Sequence, residues 1–249
     1  MLTLPSSSIH PNESSPALGS RSPLLAVLAL LLLVPAPSVG VVLAMGLDST
    51  EGTAVGKSVW AFSKVWILVF PLAWMLLIER WRPVRSPVNW RNLLPGLGWG
   101  VVIMLAILGG YWFFGRGIVD AQQVRAMAEK NGFLDPWKYL ALAAYLSFVN
   151  SLLEEYVWRW FVQRQCATLV GGPLSVVASA LLFTIHHVIA LKAQMGWTAT
   201  LLGSFGVFVG GLIWGWCYLR YKSILPGWIS HILADIAVFI VGWHLLFGA

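Results

Sequence analysis

From Leu24 onward the sequence repeats one pattern: a run of about twenty apolar residues, then a short polar or basic loop. A helix needs ~20 apolar residues to cross the hydrocarbon core of a bilayer, and lipid tolerates no exposed irregular backbone there. Seven runs stand out, at about 24–45, 58–78, 94–114, 137–163, 173–190, 198–219 and 225–247. They predict an all-α fold, a polytopic transmembrane bundle of about seven spans. Composition agrees: 58% of the 249 residues are hydrophobic and 10% charged, against roughly 45–50% and about 25% in a soluble domain. A soluble fold this poor in charge could not cover its surface, and a disordered chain would carry far less apolar surface.

Net charge is +6, with a sequence pI of about 9.6. A nucleic-acid partner is excluded because the basic residues sit in short runs between apolar segments. They read instead as the loop bias that sets membrane orientation. Arg80, Arg82, Arg85 and Arg91 face one Glu79 in the second loop; Arg164 follows the fourth run, and Arg220 and Lys222 the sixth. Seven spans place all these loops on one side, so the N-terminus is expected in the cytoplasm and the C-terminus outside, in the cell membrane. Residues 1–20, rich in Ser and Pro, read as a disordered polar tail. Residues 21–249 then form a single membrane domain, with a catalytic core at about 137–249. The first run is expected to be an uncleaved span kinked at Pro35 and Pro37. Cys166 and Cys217 read as buried, inert thiols.

Small residues four apart let helices approach closely in lipid. Gly96 and Gly100, Gly206 and Gly210, and Gly211 and Gly215 are therefore expected at helix crossings. Trp60, Trp81, Trp90, Trp137 and Trp228 lie near run ends, where indole rings favour the interface.

The informative residues are those whose placement in an apolar span is costly. An acidic group at a span centre costs about 2.5–3.5 kcal/mol on insertion scales. The fourth run carries Glu154, Glu155 and Arg159, the fifth His186 and His187, the seventh His231 and Asp235. The first three runs hold almost no charge away from their ends. Such groups turn from lipid toward one another, which predicts a polar cavity bounded by the fourth, fifth and seventh spans. Glu155 and Arg159 are four apart and share a helix face, as do His231 and Asp235. Glu154 lies about 100° around the helix from Glu155, which points it elsewhere and leaves it available as a general base. Glu154, His187 and His231 form a set able to polarise a water, directly or through a metal. His186 is expected on a neighbouring face as a satisfied polar residue, and His244 as incidental. Straight spans from these boundaries, at 1.5 Å per residue, leave His187 roughly 10 Å deeper than Glu154 and His231.

At these residues the sequence resembles the CaaX protease and bacteriocin-processing family (CPBP, also called Abi), a group of polytopic intramembrane endopeptidases. The motifs Glu154-Glu155-x-x-x-Arg159, Phe183-x-x-x-His187 and His231-x-x-x-Asp235 occur in the family's order, each in an apolar run. The resemblance covers about residues 145–240. It implies that Glu154 activates the attacking water, that His187 and His231 hold it or stabilise the oxyanion, that Glu155 pairs with Arg159, and that Asp235 assists His231. Three positions depart from the family pattern: Trp160 stands where Gly is usual, His186 where a small residue is common, and Asp235 replaces the commoner Asn.

The leading expectation is hydrolysis of a peptide bond in a membrane-associated protein or peptide. Two other classes stand beside it, a non-proteolytic immunity or scaffold protein and a proton-coupled transporter. No cofactor is assigned, and zinc is the alternative. If zinc is bound, its expected ligands are Glu154, His187 and His231, which leave one position open. The metal-free reading is preferred, because a glutamate spent as ligand cannot also serve as base.

Overall fold

A computed structural model of the protein describes residues 22–46, 53–80 and 90–248. The tail expected over 1–20, Trp81, Arg82 and Arg85 lie outside them. Among the described residues all regular structure is helical, as expected. Six helices are long and apolar enough to span a bilayer: α1 (Pro23–Ala44), α2 (Ala54–Ile78), α3 (Leu93–Phe113), and three more toward the C-terminus. A short amphipathic helix, α4 (Ala121–Lys130), follows α3. Then comes α5, a continuous helical path over 136–170. The last three spans are α6 (Gly172–Lys192), α7 (Trp197–Tyr221) and α8 (Leu225–Phe247).

The remaining expected span, the fourth run at 137–163, corresponds to α5, and it is of a different kind. Two π-helical stretches, Tyr145–Asn150 and Glu155–Val162, interrupt its α-helical geometry. Such wider turns insert a residue into the helix and recur at functional sites. Its start is sharply defined. Pro136 occupies the first turn, and the Asp135 carboxylate accepts from the backbone N–H groups of Trp137 (2.8 Å) and Lys138 (3.1 Å), which satisfies donors the helix leaves open. It ends at Gly171, whose φ of +81° is readily open only to glycine, and α6 begins at the next residue.

In α1 the helix breaks at Val34, before Pro35, and resumes at once, as a residue lacking an N–H requires. Trp66 Nε1 ties α2 to it by donating to the carbonyl of Leu32 (2.9 Å), and the Tyr156 hydroxyl joins α5 to α2 through the carbonyl of Leu68 (3.1 Å). At the end of α2, Glu79 accepts from Trp74 Nε1 (3.2 Å) and Gln165 Nε2 (2.7 Å). It is a strut between α2 and α5 rather than a loop charge.

Two of the three glycine pairs lie at crossings. A Cβ on Gly96 would meet the Pro226 backbone, and one on Gly100 would meet Ser230 and Leu233, so α3 lies directly on α8. Gly211 abuts Ala180, and Gly215 abuts Gln163 and Val176, which seats α7 against α6 and α5. The third pair differs: Gly206 has nothing within 4 Å, and the atoms nearest Gly210 belong to Trp214 of its own helix. His244 is not incidental. Its Nδ1 meets the Tyr111 hydroxyl at 2.8 Å, joining α8 to α3.

Candidate active site

The Gly171 turn makes α5 and α6 an antiparallel hairpin, and this decides the depth of the site. Glu154 and His187 lie nearly equal numbers of residues from that turn, so they come level. The expected offset of roughly 10 Å is absent, because α5 runs to Val170 rather than stopping near 163. One oxygen of Glu154 and one ring nitrogen each of His186 and His187 lie within 4.8 Å of one another.

From α8, His231 completes the cluster. Its Nδ1 is 3.2 Å from Glu155 Oε1, while Nε2 is 3.7 Å from Glu154 Oε2 and 3.8 Å from Asp235 Oδ1. The ring is thus flanked by three carboxylates from two helices. Glu154 does not point away from its neighbour's partners, as regular helical geometry implied. It closes the chain as the last α-helical residue before the π stretch that starts at Glu155, and both carboxylates converge on one imidazole. Asn150, one turn earlier, donates from Nδ2 to Glu154 Oε1 at 2.8 Å. With one oxygen held by Asn150, the other faces His231.

Behind the reactive groups lies a fully buried pair. Glu155 and Arg159 are both 0% exposed, with Glu155 Oε2 3.5 Å from Arg159 Nε. This is an ion pair longer than a well-formed hydrogen bond. The guanidinium also lies against two rings, 4.7 Å from the Phe183 centroid and 5.6 Å from that of Trp214. A cation over an aromatic face recovers part of its lost hydration. Trp214 lies flat on His231 as well, with centroids 3.8 Å apart and planes at 14°, and donates Nε1 to Ser230 Oγ at 3.1 Å. The sixth apolar run, which carries no charge of its own in the expected cavity, therefore supplies the wall on which the histidine rests. Phe183 is buried beside both, edge-on to Trp214 and to His231, and its ring centroid is 4.4 Å from that of His187.

His187 Nδ1 is 3.0 Å from the carbonyl of Phe183. A proton on Nδ1 satisfies that contact and leaves Nε2 free for chemistry. His186, in contrast to its expected role, stacks on Trp158 with centroids 5.1 Å apart, and its buried Nδ1 has no hydrogen-bond partner. The metal-competent group among the described residues is therefore Glu154, His186 and His187, and His231 of the expected zinc set lies outside it. A carboxylate and two imidazoles are donors that zinc accepts, and the unpartnered Nδ1 of His186 fits such a role.

Glu154, Asn150 and His186 line a cavity of about 70 Å³, which extends to Pro37 in α1 and Lys64 in α2. A second crevice, of about 410 Å³ and almost wholly apolar, runs between α5 and α8 past Phe148 and Ile236. Among sequence expectations, Lys64, Asn150 and Trp214 were missed. Asn150 carried a signal, a polar residue four positions before Glu154 in an apolar run and hence on its face.

Residues 136–237 match the family described as Type II CAAX prenyl endopeptidase Rce1-like. The match covers less than half of the chain and contains Glu154, Glu155, Arg159, His187, His231 and Asp235. It is consistent with a CPBP intramembrane peptidase and supports a CAAX-protease-like endopeptidase in general, acting on protein or peptide in a membrane setting. No curated protein and no solved structure matches the chain.

Proposed function

We propose, from the premise that residues 136–237 form an Rce1-like core, that the protein cleaves a peptide bond in a membrane-associated protein or peptide by glutamate-activated water. The observation that carries this reading is the convergence of Glu154 with His187 and His231 from three helices beside a cavity. Glu154, fixed by Asn150, takes the proton from water as it attacks the scissile carbonyl. Nε2 of His187 orients that water. His231, held at Nδ1 by Glu155, presents Nε2 to the developing oxyanion, where a proton stabilises charge in a water-poor site. Asp235 steadies the same ring edge, and the Glu155–Arg159 pair fixes the helix behind it. The proton held by Glu154 then passes to the departing amine.

If zinc is present, Glu154, His186 and His187 are the side chains to hold it, where it would supply Lewis-acid polarisation of water or carbonyl. We favour the metal-free route, in which Glu154 remains available as base. The apolar crevice lined by Phe148 and Ile236 suits a substrate with a lipid or strongly apolar segment, in keeping with the prenyl endopeptidases that the site segment matches. We place the N-terminus in the cytoplasm and the protein in the cell membrane, on the distribution of Arg and Lys between spans.

Cleavage of peptides by purified protein in vesicles tests the mechanism. Glu154→Gln and His231→Ala should each lower kcat by about 100-fold or more, the range that general-base catalysis supplies. Full activity in either variant overturns it.

A further inference from the structure

One imidazole beside the site has no place in the metal-free chemistry described so far. His186 moves no proton there, yet its Nδ1 is buried and has no hydrogen-bond partner. A buried polar atom left in this way is costly unless a water or an ion meets it. The ring is held by its stack on Trp158, with centroids 5.1 Å apart and planes at 2°. Its centroid is 3.9 Å from that of His187. One nitrogen from each ring and one oxygen of Glu154 all lie within 4.8 Å of one another. The other two members are fixed from behind: His187 Nδ1 meets the Phe183 carbonyl at 3.0 Å, and Asn150 Nδ2 holds Glu154 Oε1 at 2.8 Å. Metal-binding side chains are commonly oriented by such bonds to the atom that faces away from the ion.

We propose that Glu154, His186 and His187 form an inhibitory zinc site, in which the cation takes up the carboxylate and the imidazole that cleavage needs. The inference rests on the metal-free endopeptidase reading above and adds a means of regulating it. Two imidazoles and a carboxylate suit zinc better than calcium or magnesium. The cavity lined by Glu154 and His186, about 70 Å³, has room for an ion and a water, whose share of liquid volume is about 30 Å³. A Glu154 oxygen bound to zinc cannot accept a proton from water, and His187 Nε2 no longer orients that water. A catalytic zinc would need a second carboxylate to take the proton. Among the described residues lining the cavity, Glu154 is the one carboxylate. Glu155 is buried between His231 and Arg159, and Asp235 lies against His231, outside the set. Lys64 lines the same cavity. Its ammonium opposes a cation there, which keeps the site reversible rather than permanently loaded.

The test reads binding and turnover separately. Full-length protein, stripped with chelator and placed in neutral phosphatidylcholine vesicles, is titrated calorimetrically with zinc, and one ion should bind per chain. His186→Phe keeps an aromatic ring on Trp158 and removes the donor. It should weaken binding by more than the about 10–100-fold that loss of an orienting partner costs, whereas His231→Ala should leave zinc affinity close to that of the wild type. Peptide cleavage by the wild type should fall to background as zinc saturates the calorimetric site and return on chelation. His186→Phe, compared with its own zinc-free rate, should resist zinc by the same factor by which binding weakened. Equal zinc affinity in wild type and His186→Phe, or equal loss in His186→Phe and His231→Ala, overturns the proposal. Full cleavage with the site saturated, or cleavage that rises with zinc, does so as well. A wild type that cleaves no peptide at any zinc level counts against the endopeptidase reading, and the calorimetry still decides the site.

Discussion

The carboxylate of Glu155 occupies the space in which a side chain at Gly227 would begin: a Cβ built on that glycine lies 2.5 Å from Glu155 Oε2. Gly227 is in the first turn of α8, one turn before His231. The missing side chain lets a buried acid press against the helix whose histidine it holds. Gly227→Ala should therefore displace Glu155 and loosen His231. Overpacking of this kind costs about 1–3 kcal/mol, and activity should fall by more than the loss of folded protein explains. Thermal unfolding and proteolysis on the same preparation check this; wild-type kcat in a fully folded variant would refute it.

Arg159 and Glu155 should behave as a unit in stability. Removing one member of a buried ion pair strands the other and typically costs about 3–5 kcal/mol. Arg159→Met and Glu155→Gln should each destabilise by that order, and the double variant by clearly less than their sum. A double-mutant cycle in detergent measures the coupling. Simple additivity would show that the rings of Phe183 and Trp214, not the carboxylate, hold the guanidinium.

Asn150 should act through Glu154. Its 2.8 Å contact fixes one carboxylate oxygen, and hydrogen bonds to charged groups contribute about 1.5–3 kcal/mol. Asn150→Leu should lower kcat about tenfold or more with little change in KM, while Asn150→Asp, which cannot donate when ionised, should do no better. Steady-state kinetics decide the matter, and a defect confined to KM would move Asn150 from positioning the base to binding substrate.

Metal dependence has its own outcome. Chelator treatment should leave cleavage unchanged, and elemental analysis of active protein should find less than one zinc per chain. Activity lost on chelation and regained with stoichiometric zinc would instead select the Glu154, His186 and His187 set, and His186→Ala should then abolish zinc retention.

The spans were readable in the sequence because hydrocarbon imposes length and composition directly. The site was readable in outline because charge in an apolar run is expensive and has to be reconciled somewhere. What escaped had weaker local signals. The wall made by Trp214 depends on which face of an uncharged helix meets His231, and no periodicity marks it. The shared focus of Glu154 and Glu155 depends on π geometry, whereas the sequence was read with a regular 100° step. The helical step puts His186 on a neighbouring face as a satisfied polar residue, yet one ring nitrogen each of His186 and His187 and one oxygen of Glu154 lie within 4.8 Å of one another.

The glycine bend between α5 and α6 has a consequence for how such a chain can change. Base and imidazole are matched by counting outward from residue 171 along two arms. Adding one alanine to either arm between the bend and its reactive group would turn that group about 100° and shift it about 1.5 Å. The arms thus cannot change length singly. Paired insertions, one on each side of the bend, are the length changes that would keep acid and ring at a common height.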